Sequence, residues 1–120
     1  MRIYISGAFE SLLRLRDIRA RIDARRNHVI STWLDEQEGY VPPTPEQAFE
    51  YAVRDLGEIR AADLLLIDTL ETNARGGREW EGGFAFGQGL RVWVIGPRRN
   101  VFHTLVERHF DTWEEALGWL

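Results

Sequence analysis

Two carboxylates and a glycine-rich turn are the parts of this chain best suited to chemistry. Glu81 lies in the run Gly76-Gly77-Arg78-Glu79-Trp80-Glu81-Gly82-Gly83-Phe84-Ala85-Phe86-Gly87-Gln88-Gly89, one turn into a helix of small residues. An apolar strand (Leu64 to Ile67) precedes that helix and another (Leu90 to Ile95) follows it. A turn opening with two glycines at a strand's carboxyl end is where open α/β sheets bind ligands. Glycine in a helix costs about 1 kcal/mol relative to alanine, so helix stability did not select Gly82, Gly83 and Gly87. They let something pack close to the helix backbone. A helix amino end also favours an ionised carboxylate, the form a nucleophile requires.

Other polar residues gather around that turn. Asp55 points away from a Phe49/Val53/Leu56 stripe, and a surface role fits it as well as a functional one. Tyr4 is near enough to the end of the first strand to orient a carboxylate through its hydroxyl; a core tyrosine with one hydrogen-bond partner fits equally. Asp68 closes the third strand at its carboxyl end and is placed to reach a ligand, whereas Asp63 marks a helix-to-strand boundary. Arg75 and Arg78 flank Gly76-Gly77 and, with the free amides of a helix start, would cradle a phosphate, although loop arginines are often merely solvated.

Alternating elements must position these groups. Arg2 to Ser6 reads as a first strand ended by Gly7, residues 9 to 26 as a helix striped by Leu12, Leu15, Ile18 and Ile22, and His28 to Trp33 as a second strand. Asp35 to Pro43 is a loop and a candidate lid, and the aromatics from Trp33 to Tyr40 either stack on a base or cover the core. Thr44-Pro45-Glu46-Gln47 opens a helix with a capping box, continued by Phe49, Val53, Leu56 and Ile59. Asp63 to Asp68 is an unbroken apolar strand of the kind buried on both faces. After the Gly-Gly helix and strand Leu90 to Ile95, Asn100 to Val106 reads as a short helix and Arg108 to Phe110 as a last strand. A closing helix is capped from Asp111 and Thr112. This alternation predicts one α/β domain over residues 1–120 with a parallel sheet of four or five strands.

Composition removes several function classes. With no cysteine there is no disulfide, thiolate metal site or cysteine nucleophile, and the scattered His28, His103 and His109 lack metal-ligand spacing. All 15 basic residues are arginine, which excludes Schiff-base chemistry and a P-loop. A net charge of −4 argues against general affinity for nucleic acid. The arginines of the first helix (14, 16, 19, 21, 25 and 26) scatter around it among Asp17 and Asp23, so a solvated face is expected there. No apolar run approaches the roughly 18 residues of a membrane span, and the opening strand leaves no signal segment, so a cytoplasmic location is expected.

Three motifs in order carry a resemblance. They are Ile3-Tyr4-Ile5-Ser6-Gly7, then Asp55-Leu56-x-x-Ile59-x-x-x-Asp63, then Glu81-x-Gly83-x-Ala85-x-x-x-Gly89 leading into Val92-Trp93-Val94-Ile95. Together they resemble the nucleoside 2-deoxyribosyltransferase family and its nucleotide N-glycosidase relatives, over nearly the whole chain. The carboxyl end, from Gly96 to His103 and from Phe110 to Leu117, is similar to that of short phage or bacterial members.

The resemblance implies a flavodoxin-like three-layer sandwich with strand order 2-1-3-4-5. It also implies a reaction: Glu81 attacks the anomeric carbon of a 2′-deoxyribosyl group, Asp55 helps protonate the departing base, and Tyr4 holds the nucleophile. A second base or water then discharges the ester, as in retaining glycosidases. Ser6, Gly7, Asp68 and the Arg75–Arg78 turn are then substrate-binding, and neither metal nor organic cofactor is implied. Members acting on free nucleosides carry an aspartate six residues before the nucleophile; here that position is Arg75, which suits a 5′-monophosphate. Members are usually dimers or larger, and Asn100 and His103 match a region that completes a neighbour's pocket. The expected partners are a small nucleoside or nucleotide and further copies of this chain, with no nucleic acid or membrane. The alternative reading is a non-catalytic nucleotide-binding or sensor domain of the same fold, which predicts binding without base release. A nucleic-acid module built on the first helix would predict salt-dependent oligonucleotide binding, which an acidic chain should lack.

Overall fold

The computed structural model of the chain describes residues 1–72 and 75–120. Its five strands are β1 (Arg2–Ser6), β2 (His28–Val29), β3 (Leu64–Asp68), β4 (Arg91–Ile95) and β5 (Arg108–Phe110). They form one sheet in the order β2-β1-β3-β4-β5, with every pairing parallel, as expected. The helices are α1 (Leu12–Asp23), α2 (Pro45–Ala61), α3 (Gly77–Gly87) and α4 (Trp113–Leu117). β3 is buried throughout, and β1 and β4 are buried after their first residue. Central parallel strands are covered on both faces, which is why these segments read as continuous apolar runs. No helix among the described residues is long and apolar enough to cross a membrane.

Local signals explain most boundaries. Thr44 Oγ1 accepts from Gln47 N while Gln47 Oε1 accepts from Thr44 N, closing the capping box that starts α2. Gly76 caps α3 at φ 94°, a conformation that favours glycine. Gly96, just after β4, has φ 111°, and a Cβ there would lie 2.6 Å from Thr69 Oγ1 and 3.2 Å from the Leu70 amide. Gly96→Ala is therefore expected to lower stability by about 2–4 kcal/mol, read from urea unfolding, because left-handed strain and overpacking add.

Two expectations are corrected and a third gains detail. The second strand stops at Val29, because Thr32–Asp35 turns as a 3-10 helix that drives Trp33 inward to donate its Nε1–H to Ile5 O at 2.7 Å. The α2 stripe is not core: Phe49 is 70% exposed and Val53 56%, and within that helix only Ile59 is fully buried. Of the arginines between 14 and 26, Arg14, Arg21, Arg25 and Arg26 are exposed, as a solvated face requires, but most of the six are also paired. Arg14 pairs with Asp68, Arg19 with Asp35 and Arg21 with Glu114, while Arg16 holds the Leu34 and Glu36 carbonyls and Arg25 the Leu117 carbonyl. The guanidiniums fasten α1 to the segment after β2 and to α4.

Candidate active site

Order 2-1-3 puts a crevice at the carboxyl ends of β1 and β3, where neighbouring connections depart to opposite faces. Tyr4 and Ser6 alternate along β1 and are fully buried. Both reach α3, which crosses above them. Tyr4 Oη donates to Glu81 Oε2 at 2.6 Å, and Ser6 Oγ donates to Glu81 Oε1 at 2.7 Å. Each oxygen of the Glu81 carboxylate is thus held by one hydroxyl from the same strand. Gly82, the next residue, lets α3 sit this close: a Cβ there would lie 2.6 Å from Ile67 Cδ1. The close approach inferred from the glycines is therefore made by the core at this position.

Glu81 lines a cavity of about 470 Å³ together with Gly7, Asp55, Glu36 and Arg54. Phe9, Trp33, Tyr40, Tyr51 and Trp80 supply its aromatic lining. Burial pushes the Glu81 carboxyl up from 4.5 to about 7, with the Asp55 charge adding to the rise and the two hydroxyls opposing it. Burial also pushes Asp55 up from 3.8 to about 6, against the pull of Arg54 and with help from Glu58 and Glu36. Burial and the Glu81 charge hold the Tyr4 phenol far above its usual range, so it remains a donor. Two carboxylates that titrate near neutrality face one cavity, and such perturbed pairs mark sites of proton chemistry.

The remaining sequence candidates divide. Arg75 lines the cavity mouth, with its guanidinium 3.5 Å from the Tyr40 ring centroid and 2.5 Å from Glu10 Oε1. Gly76 caps α3, and Gly77 and Arg78 line the cavity at its start. Arg78 is buried and donates through Nη1 to Glu71 O at 2.7 Å and Asp68 O at 3.4 Å, while its Nε has no hydrogen bond, Glu79 Oε1 lying 3.5 Å away. Asp68 corrects expectation. It is fully buried, outside the cavity lining, and accepts from Arg14 Nη1 and Nη2 at 2.7 and 2.9 Å, Trp113 Nε1 at 2.6 Å and Leu70 N at 3.1 Å. It joins β3 to α1 and α4. Asn100 and His103 lie in a separate apolar groove of about 730 Å³, where both bond Glu79 Oε2, at 2.9 and 3.0 Å. Within one chain they are not brought to Glu81.

Glu36 and Arg54 were missed. Arg54 adjoins Asp55 in sequence and Glu36 falls in the loop marked as a lid, but no spacing rule links residues 18 apart across that loop.

No protein-family model matches the sequence, nor does any curated protein. Solved structures do. A 2-deoxyribosyltransferase from Bacillus psychrosaccharolyticus superposes with a TM-score of 0.81 at 19% identity, over 98% of this chain and 90% of that one. The chain has the fold of a 2-deoxyribosyltransferase. A conserved protein from Enterococcus faecalis gives 0.77 at 15% identity, over 98% of this chain and 95% of that one. A CMP N-glycosidase from Clostridium botulinum gives 0.66 at 15% identity, over 99% and 96%. At these identities the likeness is one of fold, and it agrees with the architecture the sequence motifs implied.

Proposed function

We propose that this protein cleaves the N-glycosidic bond of a 2′-deoxynucleoside 5′-monophosphate, or of the free nucleoside, through a deoxyribosyl ester on Glu81. The observation that carries the reading is a Glu81 carboxylate gripped at both oxygens by Tyr4 and Ser6 in a cavity shared with Asp55. In the first step the C1′–N bond breaks with its electron pair going to the base, Asp55 gives the base a proton, and a Glu81 oxygen bonds C1′. A second base, or water, then takes the sugar. The likeness in fold to a 2-deoxyribosyltransferase and a CMP N-glycosidase supports both outcomes. Arg75, the uncapped amides at the start of α3 and the unbonded Arg78 Nε support a phosphate at that end of the cavity.

Incubating the protein with deoxynucleosides and their 5′-monophosphates, with and without free adenine or cytosine, tests the reaction. Chromatography reads released or exchanged base, and intact mass reads a deoxyribosyl adduct. Absence of base release from every substrate would sink the reading and leave the sensor alternative.

The two carboxylates bear on pH. Values of about 7 and about 6 leave the pair with one proton between them over that interval, and the productive form has it on Asp55. A bell-shaped kcat/KM profile with its maximum between pH 6 and 7 is expected, falling on the acid side as the nucleophile protonates and on the alkaline side as the acid proton is lost. Asp55→Asn should remove the alkaline limb.

We also infer that the protein assembles into a dimer or larger homo-oligomer. The groove holding Asn100 and His103 is bordered by Trp80, 79% exposed, and Phe102, 70% exposed, and Trp80 lines the Glu81 cavity as well. A neighbour covering this groove would close one wall of the cavity. Phe102→Glu is expected to shift sedimentation to the monomer and lower kcat/KM at least about tenfold, since a buried unpaired carboxylate at an interface costs several kcal/mol.

A further inference from the structure

Glu36 is fixed in the cavity in a way that attack at C1′ does not by itself require. Its backbone is tied at both ends: its N–H donates to Trp33 O at 3.1 Å, and its carbonyl accepts from Arg16 Nη2. Its side chain lines the cavity and gives one oxygen, Oε1, to Arg54 Nη2 at 2.8 Å. The same nitrogen lies 2.9 Å from Asp55 Oδ1. Arg54 thus holds two carboxylates side by side by one oxygen each. Glu36 Oε2 and Asp55 Oδ2 have no partner among the described residues.

Two anchored carboxylates, each with one oxygen left over, match two neighbouring polar atoms on the edge of a nucleobase. Asp55 delivers a proton in the proposed reaction, so it needs a ring nitrogen with a free lone pair. Glu36, as a carboxylate, can only accept, so it needs an N–H. An exocyclic amine beside an unprotonated ring nitrogen satisfies both: N6 beside N7 in adenine, and N4 beside N3 in cytosine. Guanine and hypoxanthine place O6 against Glu36, acceptor facing acceptor. Thymine and uracil place O4 there and already carry a hydrogen on N3.

We propose that Glu36 makes this site selective for amino bases, adenine and cytosine, as leaving and entering groups; this rests on the glycosidic reading of the cavity. In the step it serves, the C1′–N bond breaks with its electrons on the ring nitrogen and C1′ bonds Glu81. The Asp55 proton moves to N7 or N3, and the base departs neutral while one amine hydrogen rests on Glu36. Arg54 is a positioning residue that keeps the two carboxylates in register.

Two substrate pairs test this: dAMP against dIMP, and dCMP against dUMP, each exchanging an amine for a carbonyl on one ring carbon. The amino member of each pair is expected to exceed its partner in kcat/KM by at least about a hundredfold, since a site built to accept a hydrogen bond rejects the analogue lacking it. Glu36→Gln keeps a carbonyl for Arg54 and gains an amide that donates to O6 or O4, so both ratios should narrow to within about tenfold with thermal melts unchanged. Equal cleavage of the oxo members, or ratios unmoved in Glu36→Gln, would overturn the assignment. Should no substrate be cleaved, the glycosidic reading falls on its own, and calorimetric binding still decides the base: tighter dAMP than dIMP upholds Glu36, and equal affinities overturn it.

Discussion

Glu81→Gln is expected to abolish base release and to make the folded protein harder to unfold above pH 7. The first effect follows from removing the proposed nucleophile: the amide cannot form the ester, and losses of at least about 10⁴-fold are usual when a covalent catalyst loses its attacking group. The second follows from the carboxyl's shift from 4.5 to about 7 on burial. A group whose pKa is raised by folding binds its proton more tightly in the folded state. Above pH 7 it is ionised whether folded or not, and the whole cost of burying the charge falls on the native state. Between pH 7 and 4.5 the folded protein takes up a proton that the unfolded chain does not, and the cost is relieved; below 4.5 nothing further changes. At about 1.4 kcal/mol per pKa unit, the amide should gain roughly 3–4 kcal/mol over wild type at pH 8 and little at pH 4.5. Parallel urea titrations at those two pH values, beside an assay for free base, check both halves. A variant that loses activity without gaining stability would mean that the carboxylate is better solvated than its place in the cavity implies.

Asp68→Ala is expected to be the most destabilising single substitution at the candidate residues. It removes the acceptor for Arg14, Trp113 and the Leu70 amide together, so β3 loses its ties to α1 and α4. Breaking a buried ion pair by deleting one partner costs about 3–5 kcal/mol. The lower end applies, near 3 kcal/mol, because the Arg14 side chain is 39% exposed and can recover water, whereas Trp113 is buried and cannot. Against a typical domain stability of about 5–15 kcal/mol this is a large fraction. Asp68→Asn keeps an acceptor for Trp113 and should lose less. Chemical denaturation curves for the two variants give the comparison. A ligand-contacting aspartate would show the reverse: unchanged unfolding and a raised KM.

Residue patterning made the sheet legible because its central strands are covered on both sides, so Leu64 to Ile67 and Val92 to Ile95 carry an unbroken apolar signal. The start of α2 was legible because capping is local chemistry, complete within Thr44 to Gln47. The Tyr4, Ser6 and Glu81 cluster was within reach only through motif order, since its members lie 75 and 77 residues apart. Asp68 misled because position at a strand's carboxyl end does not reveal what stands opposite; Arg14 and Trp113 come from distant segments. The Phe49 and Val53 stripe misled for a related reason. Periodicity reports that a helix face is apolar, not whether the same chain covers it. The arginines from 14 to 26 read as a solvated face by composition, which could not show that Arg14, Arg16, Arg19, Arg21 and Arg25 each find a carboxylate or carbonyl that only the folded arrangement supplies.

The all-parallel pairing has a kinetic consequence. No two adjacent strands are joined by a tight turn, and β1, which carries Tyr4 and Ser6, matches Ile3 to Val29 on one side and to Leu64 on the other. During synthesis the first strand therefore waits for its inner neighbour until residues 64–68 have left the ribosome, and Glu81 emerges later still. Chains dominated by distant pairings of this kind collapse to the native state slowly, in milliseconds to seconds rather than microseconds. The grip of Tyr4 and Ser6 on Glu81 is thus among the last contacts the nascent molecule can make, and until then its bare strand edges are open to pairing with other unfinished chains.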